Sequence, residues 1–392
     1  MDLGEWPEFL ARWSGEWIDA ADSATRDQLP VGTVERRWLG FDGATQEQLA
    51  AAEARLGCVL PPSYREFLAV TNGWLHAAPA IYRLGDTDSV GWFRELEPEW
   101  CAIWSDNDEH EILARSLCIS TEGDSGVFLL DPGDVGTDGE WAAYHFANWY
   151  PGLGDRAASF RALMDEEYAT FHYVLEPDNA TSRGLDAQCA GARAAIMSGD
   201  LITQVPILDE AVTFGRIGAQ VTRIQIDALL GDWTAVRERT MSLLPNRAEH
   251  LIGEALLSTT VIPLFLLAMY DWQEQQSSTK AYLIDNSISR SPAPIPAQTA
   301  EVRAAIDTAA FAPSFLGSAF NEAVAAARQL ATAGLDDEAW QRIADAVHHW
   351  RPAGPHDVAP AALLADSVLG RLITPARGHE ILTTPRGPVH HD

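Results

Sequence analysis

The chain has 392 residues, with 56 Asp and Glu against 27 Lys and Arg, for a formal net charge of −29. Its length exceeds one ordinary core, so two or three domains are expected. Its charge has the wrong sign for gripping nucleic acid or anionic lipid and the right sign for steering basic proteins.

Residues 6–17 set Trp6, Phe9, Leu10, Trp13 and Trp17 three and four apart, the spacing of an amphipathic helix whose aromatic stripe packs on its own domain or, alternatively, meets a partner. Residues 19–32 lack periodicity and read as a link. In residues 44–74, Thr45 and Gln48 form a capping box, Leu49, Ala52 and Leu56 share one face, and Gly57 stops the helix. Pro61-Pro62 then starts a second helix bearing Tyr64, Phe67 and Leu68, which Asn72-Gly73 closes. Residues 81–84 and 90–93 read as short strands. Residues 95–111 follow as the densest acidic stretch, interleaved with Trp100 and Trp104 and free of Lys and Arg after Arg94; they read as a loop face. Residues 117–120, 127–130 and 142–146 read as strands of one antiparallel sheet, and residues 157–171 as a closing helix.

These features together resemble the SUKH superfamily, which includes bacterial toxin-immunity proteins and fungal regulators of cell-wall assembly. The resemblance rests on the capped helix, Leu-Gly, Leu-Pro-Pro-Ser-Tyr-Arg-x-Phe-Leu and Asn-Gly-Trp. It continues through Leu117-Cys-Ile-Ser120, Glu122 to Gly126, Val127-Phe-Leu-Leu-Asp-Pro132, Gly139 to Trp149 and Ser159-Phe-Arg-Ala-Leu163. It spans about residues 36–170. It implies an α+β domain, within residues 1–175, that binds protein partners and carries no catalytic residues.

Beyond residue 175 strand signals fade and Ala becomes frequent, so residues 176–392 are expected to be all-α. Gly199-Asp200 and Gly231-Asp232 lie 32 residues apart, and Ala333-Gly334 recurs about three periods later, a spacing that suggests helix pairs of tetratricopeptide type. The apolar run at residues 255–270 is too short and too interrupted to span a membrane and reads as a buried helix. A linker is expected near 289–299 and a frayed tail from about 374.

The catalytic signals are weak. Gly123-Asp-Ser-Gly126 resembles the nucleophile stretch of trypsin-like proteases, but a serine nucleophile also needs an oriented His and an oxyanion hole. His145 and Asp131 are the candidates to meet Ser125, and a hairpin turn with Gly at positive φ explains the same letters. His110-Glu111 and His348-His349 lack metal-ligand spacing, and His390-His391-Asp392 reads as a tail. There is no phosphate-loop motif, so no cofactor and no metal are expected. Cys58, Cys101, Cys118 and Cys189 are unpatterned and read as buried thiols, and the N-terminus has no signal-peptide pattern, so a cytoplasmic location is expected. The expectation is a non-catalytic, immunity-type module that docks on a basic toxin domain. Trp100, Trp104, Asp106, Asp108, Glu109 and Glu111 are the first contact candidates, and Asp134, Asp138 and Glu140 the second. A regulatory scaffold and, more remotely, a Ser125 hydrolase are the alternatives.

Overall fold

The computed structural model describes residues 3–104, 109–150, 152–275 and 280–386, with side chains at all of these except 273–275 and 280–283. The chain divides into two compact units, residues 1–179 and 180–392.

The first unit is α+β. Helix α1 (Trp6–Ala20) buries Trp6, Phe9, Leu10, Trp13 and Trp17. The stripe packs inward: Trp6 stacks on Phe160 and meets Phe67 edge-on, and Phe9 and Trp13 lie against Tyr168. Residues 19–32, expected as a link, contain the short helix α2 (Ser23–Asp27), because Asp22 accepts from the Thr25 N–H and so nucleates a turn. α3 (Thr33–Arg36) follows. In α4 (Gln46–Leu56) the Thr45 hydroxyl accepts from Gln48 N at 3.3 Å while the Gln48 carboxamide accepts from Thr45 N at 2.8 Å, and Gly57 stops the helix at φ 71°. α5 (Pro62–Val70) begins on its proline.

The strands are β1 (Trp74–Ala78), β2 (Ile81–Leu84), β3 (Gly91–Trp92), β4 (Leu117–Cys118), β5 (Ser120–Gly123), β6 (Gly126–Val135) and β7 (Trp141–Ala147). They form two antiparallel sheets, β1-β2-β5 and β3-β4-β6-β7; the second holds the strands expected together, at residues 117–118, 127–130 and 142–146, while residues 120–123 fall in the first. The division occurs at Ser120. Its hydroxyl accepts from Phe128 N at 2.9 Å in place of a backbone carbonyl, and the chain beyond it pairs with β2 instead of β6. The acidic stretch, expected as loop, holds α6 (Phe93–Leu96), α7 (Pro98–Ile103) and α8 (His110–Arg115). Pro98 at the first position of α7 is the local cause. α9 (Phe160–Leu175), capped by Ser159, closes the unit.

The second unit is helical: α10 (Ala180–Met197), α11 (Val205–Thr213), α12 (Ile217–Leu230), α13 (Trp233–Asn246), α14 (Ile262–Gln275), α15 (Lys280–Ile288), α16 (Ile295–Asp307), α17 (Ser318–Thr332), α18 (Asp336–Ala344) and α19 (Pro375–Thr383). Glycines at positive φ follow four of the described helices: Gly199 follows α10, Gly215 follows α11, Gly231 stops α12 and Gly334 follows α17. Asp232 then caps α13, making α12 and α13 a tight hairpin. The apolar run is buried, as a π-turn (Leu257–Val261) leading into α14. No helix among the described residues is long and apolar enough to cross a membrane. The expected linker is a short turn, because α16 already starts at Ile295. The expected frayed tail is helix α19: Thr374 accepts from Arg377 N, Pro375 occupies the first turn, and Ile381 and Leu382 are buried. Beyond it Arg386 is buried and donates to the carbonyls of Val358, Ile381 and Leu382. Residues 387–392, including His390, His391 and Asp392, lie outside the described residues.

Candidate protein-binding surface

The acidic segment is built on a small core. Phe93, Leu113, Cys118, Leu129 and Phe146 bury together, and Trp100, Trp104 and Ile112 pack half-buried against them. Trp100 and Trp104 lie four apart, on one face of α7 and its last turn, and both meet the Phe146 ring edge-on, at 5.7 and 5.2 Å between centroids. Both indoles therefore hold α7 on β7. Asp106 and Asp108 lie outside the described residues. Glu109 is half-buried at the start of α8, and Glu111 is exposed.

The second group of carboxylates is engaged within the fold. Asp134 receives two hydrogen bonds from Arg156, at 2.6 and 2.9 Å, which hold its carboxyl below the usual range. Asp138 accepts from Glu140 N across the β6–β7 turn. Glu140 accepts from both the N–H and the hydroxyl of Ser63, each at 2.7 Å, so it caps α5 from 77 residues away. A carboxylate there also suits the positive end of the helix dipole.

The structure adds a feature the strand pattern conceals. After β7, Trp149 and Tyr150 are 68% and 50% exposed, with their rings edge-on at 6.4 Å. Adjoining Gly152 lies so close to Glu109 that an added Cβ would stand 3.3 Å from its carboxylate. This aromatic loop and the start of α8 therefore adjoin. The available signal was Trp149-Tyr150 directly before Pro-Gly: two consecutive large rings at a turn cannot both face inward.

The residues considered for hydrolysis do not assemble. Asp131 is fully buried and bound by Arg115 through two bonds of 2.6 and 2.7 Å. His145 is held instead by Glu167, Nδ1 to Oε1 at 2.7 Å, and its Nε2 has no hydrogen-bond partner among the described residues, Ser125 included. Ser125 itself takes the positive φ (58°) of the turn. Gly123 is kept for space, since a Cβ there would lie 2.7 Å from the Ala80 carbonyl oxygen. Among the described residues no three His, Cys, Asp or Glu side chains gather as a metal site.

Comparison with curated proteins and with solved structures found no match. Residues 43–166 match the model of the SMI1 / KNR4 family (SUKH-1), from the capping box of α4 into α9. That stretch of the first unit is thus a SUKH-superfamily domain, of a family whose general role is protein interaction.

Proposed function

We propose that the chain is a non-catalytic, immunity-type binding protein of the cytoplasm, which silences a basic toxin domain by docking over it. The observation that carries this reading is the exposed Trp149–Tyr150 pair, whose loop adjoins Glu109, on a unit whose residues 1–175 carry 31 acids against 11 Arg. Exposed rings supply the buried anchors of an interface, and carboxylates around them steer and pair with Lys and Arg. Asp106 and Asp108 belong to the same acidic stretch. Trp100 and Trp104 support the surface from beneath.

The test is binding of the purified chain to a toxin domain encoded in neighbouring genes, with protection of cells from that toxin. Trp149→Ala combined with Tyr150→Ala is expected to weaken binding about thirtyfold or more, since anchors of this kind contribute about 2 kcal/mol or more. Glu111→Ala is expected to slow association a few-fold and flatten its salt dependence. Affinity indifferent to salt removes the electrostatic part, and full affinity of the aromatic double variant removes the surface. Retained labelling by a serine-reactive probe that disappears in Ser125→Ala overturns the non-catalytic reading. The helical hairpins of the second unit favour a second reading, a regulatory scaffold recruiting cellular proteins. A deletion strain that stays resistant to its siblings' toxins selects it.

A further inference from the structure

A small pocket of about 20 Å³ lies within the second unit, where the π-turn (Leu257–Val261), residues 314–316 and residues 351–362 meet. The π-turn and residues 314–316 line it with apolar groups and the neutral hydroxyls of Thr259, Thr260 and Ser314. Into this setting the turn at residues 353–358 brings a carboxyl group, on Asp357, which is 8% exposed. It takes one hydrogen bond, from Ala353 N to Oδ2 at 3.0 Å, and forms no ion pair among the described residues. The cations near it are engaged elsewhere. Arg351 donates to the carbonyls of His348 and Trp350. Arg386, 6% exposed, donates to the carbonyls of Val358, Ile381, Leu382 and Thr384, and its Nη2 has no partner among the described residues. His356, beside Asp357 in the chain, packs on Gly218 of α12, where an added Cβ would stand 2.7 Å from the imidazole. The same turn is a fastening point. Gln225 of α12 donates to the His356 carbonyl and accepts from Val358 N, and a 2.6 Å bond from Arg386 to the Val358 carbonyl ties the C-terminal residues to it.

We propose that Asp357 is a proton-operated latch: as a neutral acid it lets residues 353–358 close on the π-turn, and as a carboxylate it draws solvent in and loosens that turn together with residues 375–386. A carboxylate with one hydrogen bond and no ion pair is costly in the interior, whereas the neutral acid is tolerated. Burial accordingly pushes the Asp357 carboxyl up to about 6, against the smaller opposing effects of the Ala353 bond and of Arg386. Arg386, lowered to about 10 by its own burial, stays charged throughout the range in which Asp357 titrates. In an opened segment the carboxyl titrates near its ordinary value of about 3.9, so the closed form holds the proton more tightly and acid favours it. That advantage is lost as pH rises from about 4 through about 6. The latch is independent of the protein-binding reading and does not require it.

The test is amide hydrogen exchange of the full chain, read by mass spectrometry between pH 5 and pH 8 with exchange times corrected for the intrinsic pH dependence of the amides. Peptides covering residues 351–360 and 375–386 report the latch. In the wild type their open population is expected to be about tenfold greater at pH 8 than at pH 5, with most of the rise complete by pH 7. Asp357→Asn, which keeps the shape and cannot ionise, is expected to give a flat profile in both peptides. Circular dichroism checks that the variant folds; should it unfold, Asp357→Ser, smaller and equally unable to ionise in this range, takes its place with the same expected profile. A wild-type open population that is constant or falls as pH rises overturns the proposal. A rise that the neutral variant retains assigns the effect to another group and overturns it equally.

Discussion

Glu140 illustrates how a residue's neighbours decide its role. Its setting in the sequence, a carboxylate beside a Gly-rich turn, suits a solvated contact residue. In the fold its two oxygens are occupied by Ser63, and the N-terminus of α5 depends on them. Glu140→Ala removes the partner of a helix-end N–H and of a hydroxyl, and is expected to cost about 1–2 kcal/mol in urea unfolding. Glu140→Gln, which keeps one acceptor, is expected to recover part of it. Glu111→Ala at the exposed side of α8 is expected to leave stability within about 0.5 kcal/mol. If Glu140→Ala unfolds like the wild type, the cap contributes nothing and Glu140 returns to the pool of contact residues. The same distinction separates the tryptophans. Trp104 packs half-buried on a core cluster that includes Phe146, distant from it in the chain, whereas Trp149 stays exposed.

Helix α19 shows the same dependence at the scale of elements. Gly378 packs against the end of α12 so closely that a Cβ would lie 1.8 Å from the Leu229 carbonyl oxygen. Gly378→Ala must therefore push the helices apart, although alanine is the better helix former. The expected loss is about 2 kcal/mol or more, the scale of an overpacked core, read as a lower denaturation midpoint of the full chain. Gly253, whose added Cβ would meet nothing within 4 Å but whose φ is positive, is a control for backbone strain alone. A Gly378→Ala midpoint equal to that of the wild type would show that the two helices slide without cost. Elements were legible from the sequence where their signals are local. The capping box, the Gly57 stop and the Pro62 start lie within a few residues of the turns they define, and the structure matches each. The Thr374-Pro375 start of α19 was an equally local signal, outweighed in reading by the Pro, Gly and His composition around it. That residues 117–118, 127–130 and 142–146 share one sheet was legible, but that the chain leaves this sheet at Ser120 was not. That departure depends on the Ser120 hydroxyl accepting a bond from Phe128, a pairing that no period along residues 117–130 encodes. The candidate surface was legible only as a composition, acids with aromatics. Which rings face outward is a property of the packed core.

Over the whole molecule, the charge has two effects of opposite sign on the same salt axis. In the first unit Arg37, Arg65, Arg83, Arg115, Arg156 and Arg161 each pair with a carboxylate, so much of its positive charge is already neutralised at short range. Against 31 acids in residues 1–175 these pairs leave most carboxylates facing one another, and the field outside the unit is anionic. Added salt screens that repulsion and also weakens the pairs. Most of the pairs are partly exposed and individually worth about 1 kcal/mol or less, so the repulsion dominates. The melting temperature is therefore expected to rise by a few degrees between about 10 mM and 300 mM KCl, across which the screening length falls from about 30 Å to below 10 Å. Tetramethylammonium chloride at equal ionic strength should give the same rise, because screening does not depend on which cation supplies it. The association rate with a basic partner is expected to fall over the same range, since the field that destabilises the free protein is the field that draws the partner in. A melting temperature that falls with salt would assign the carboxylates to ion pairs, and would remove the excess anionic field on which steering depends.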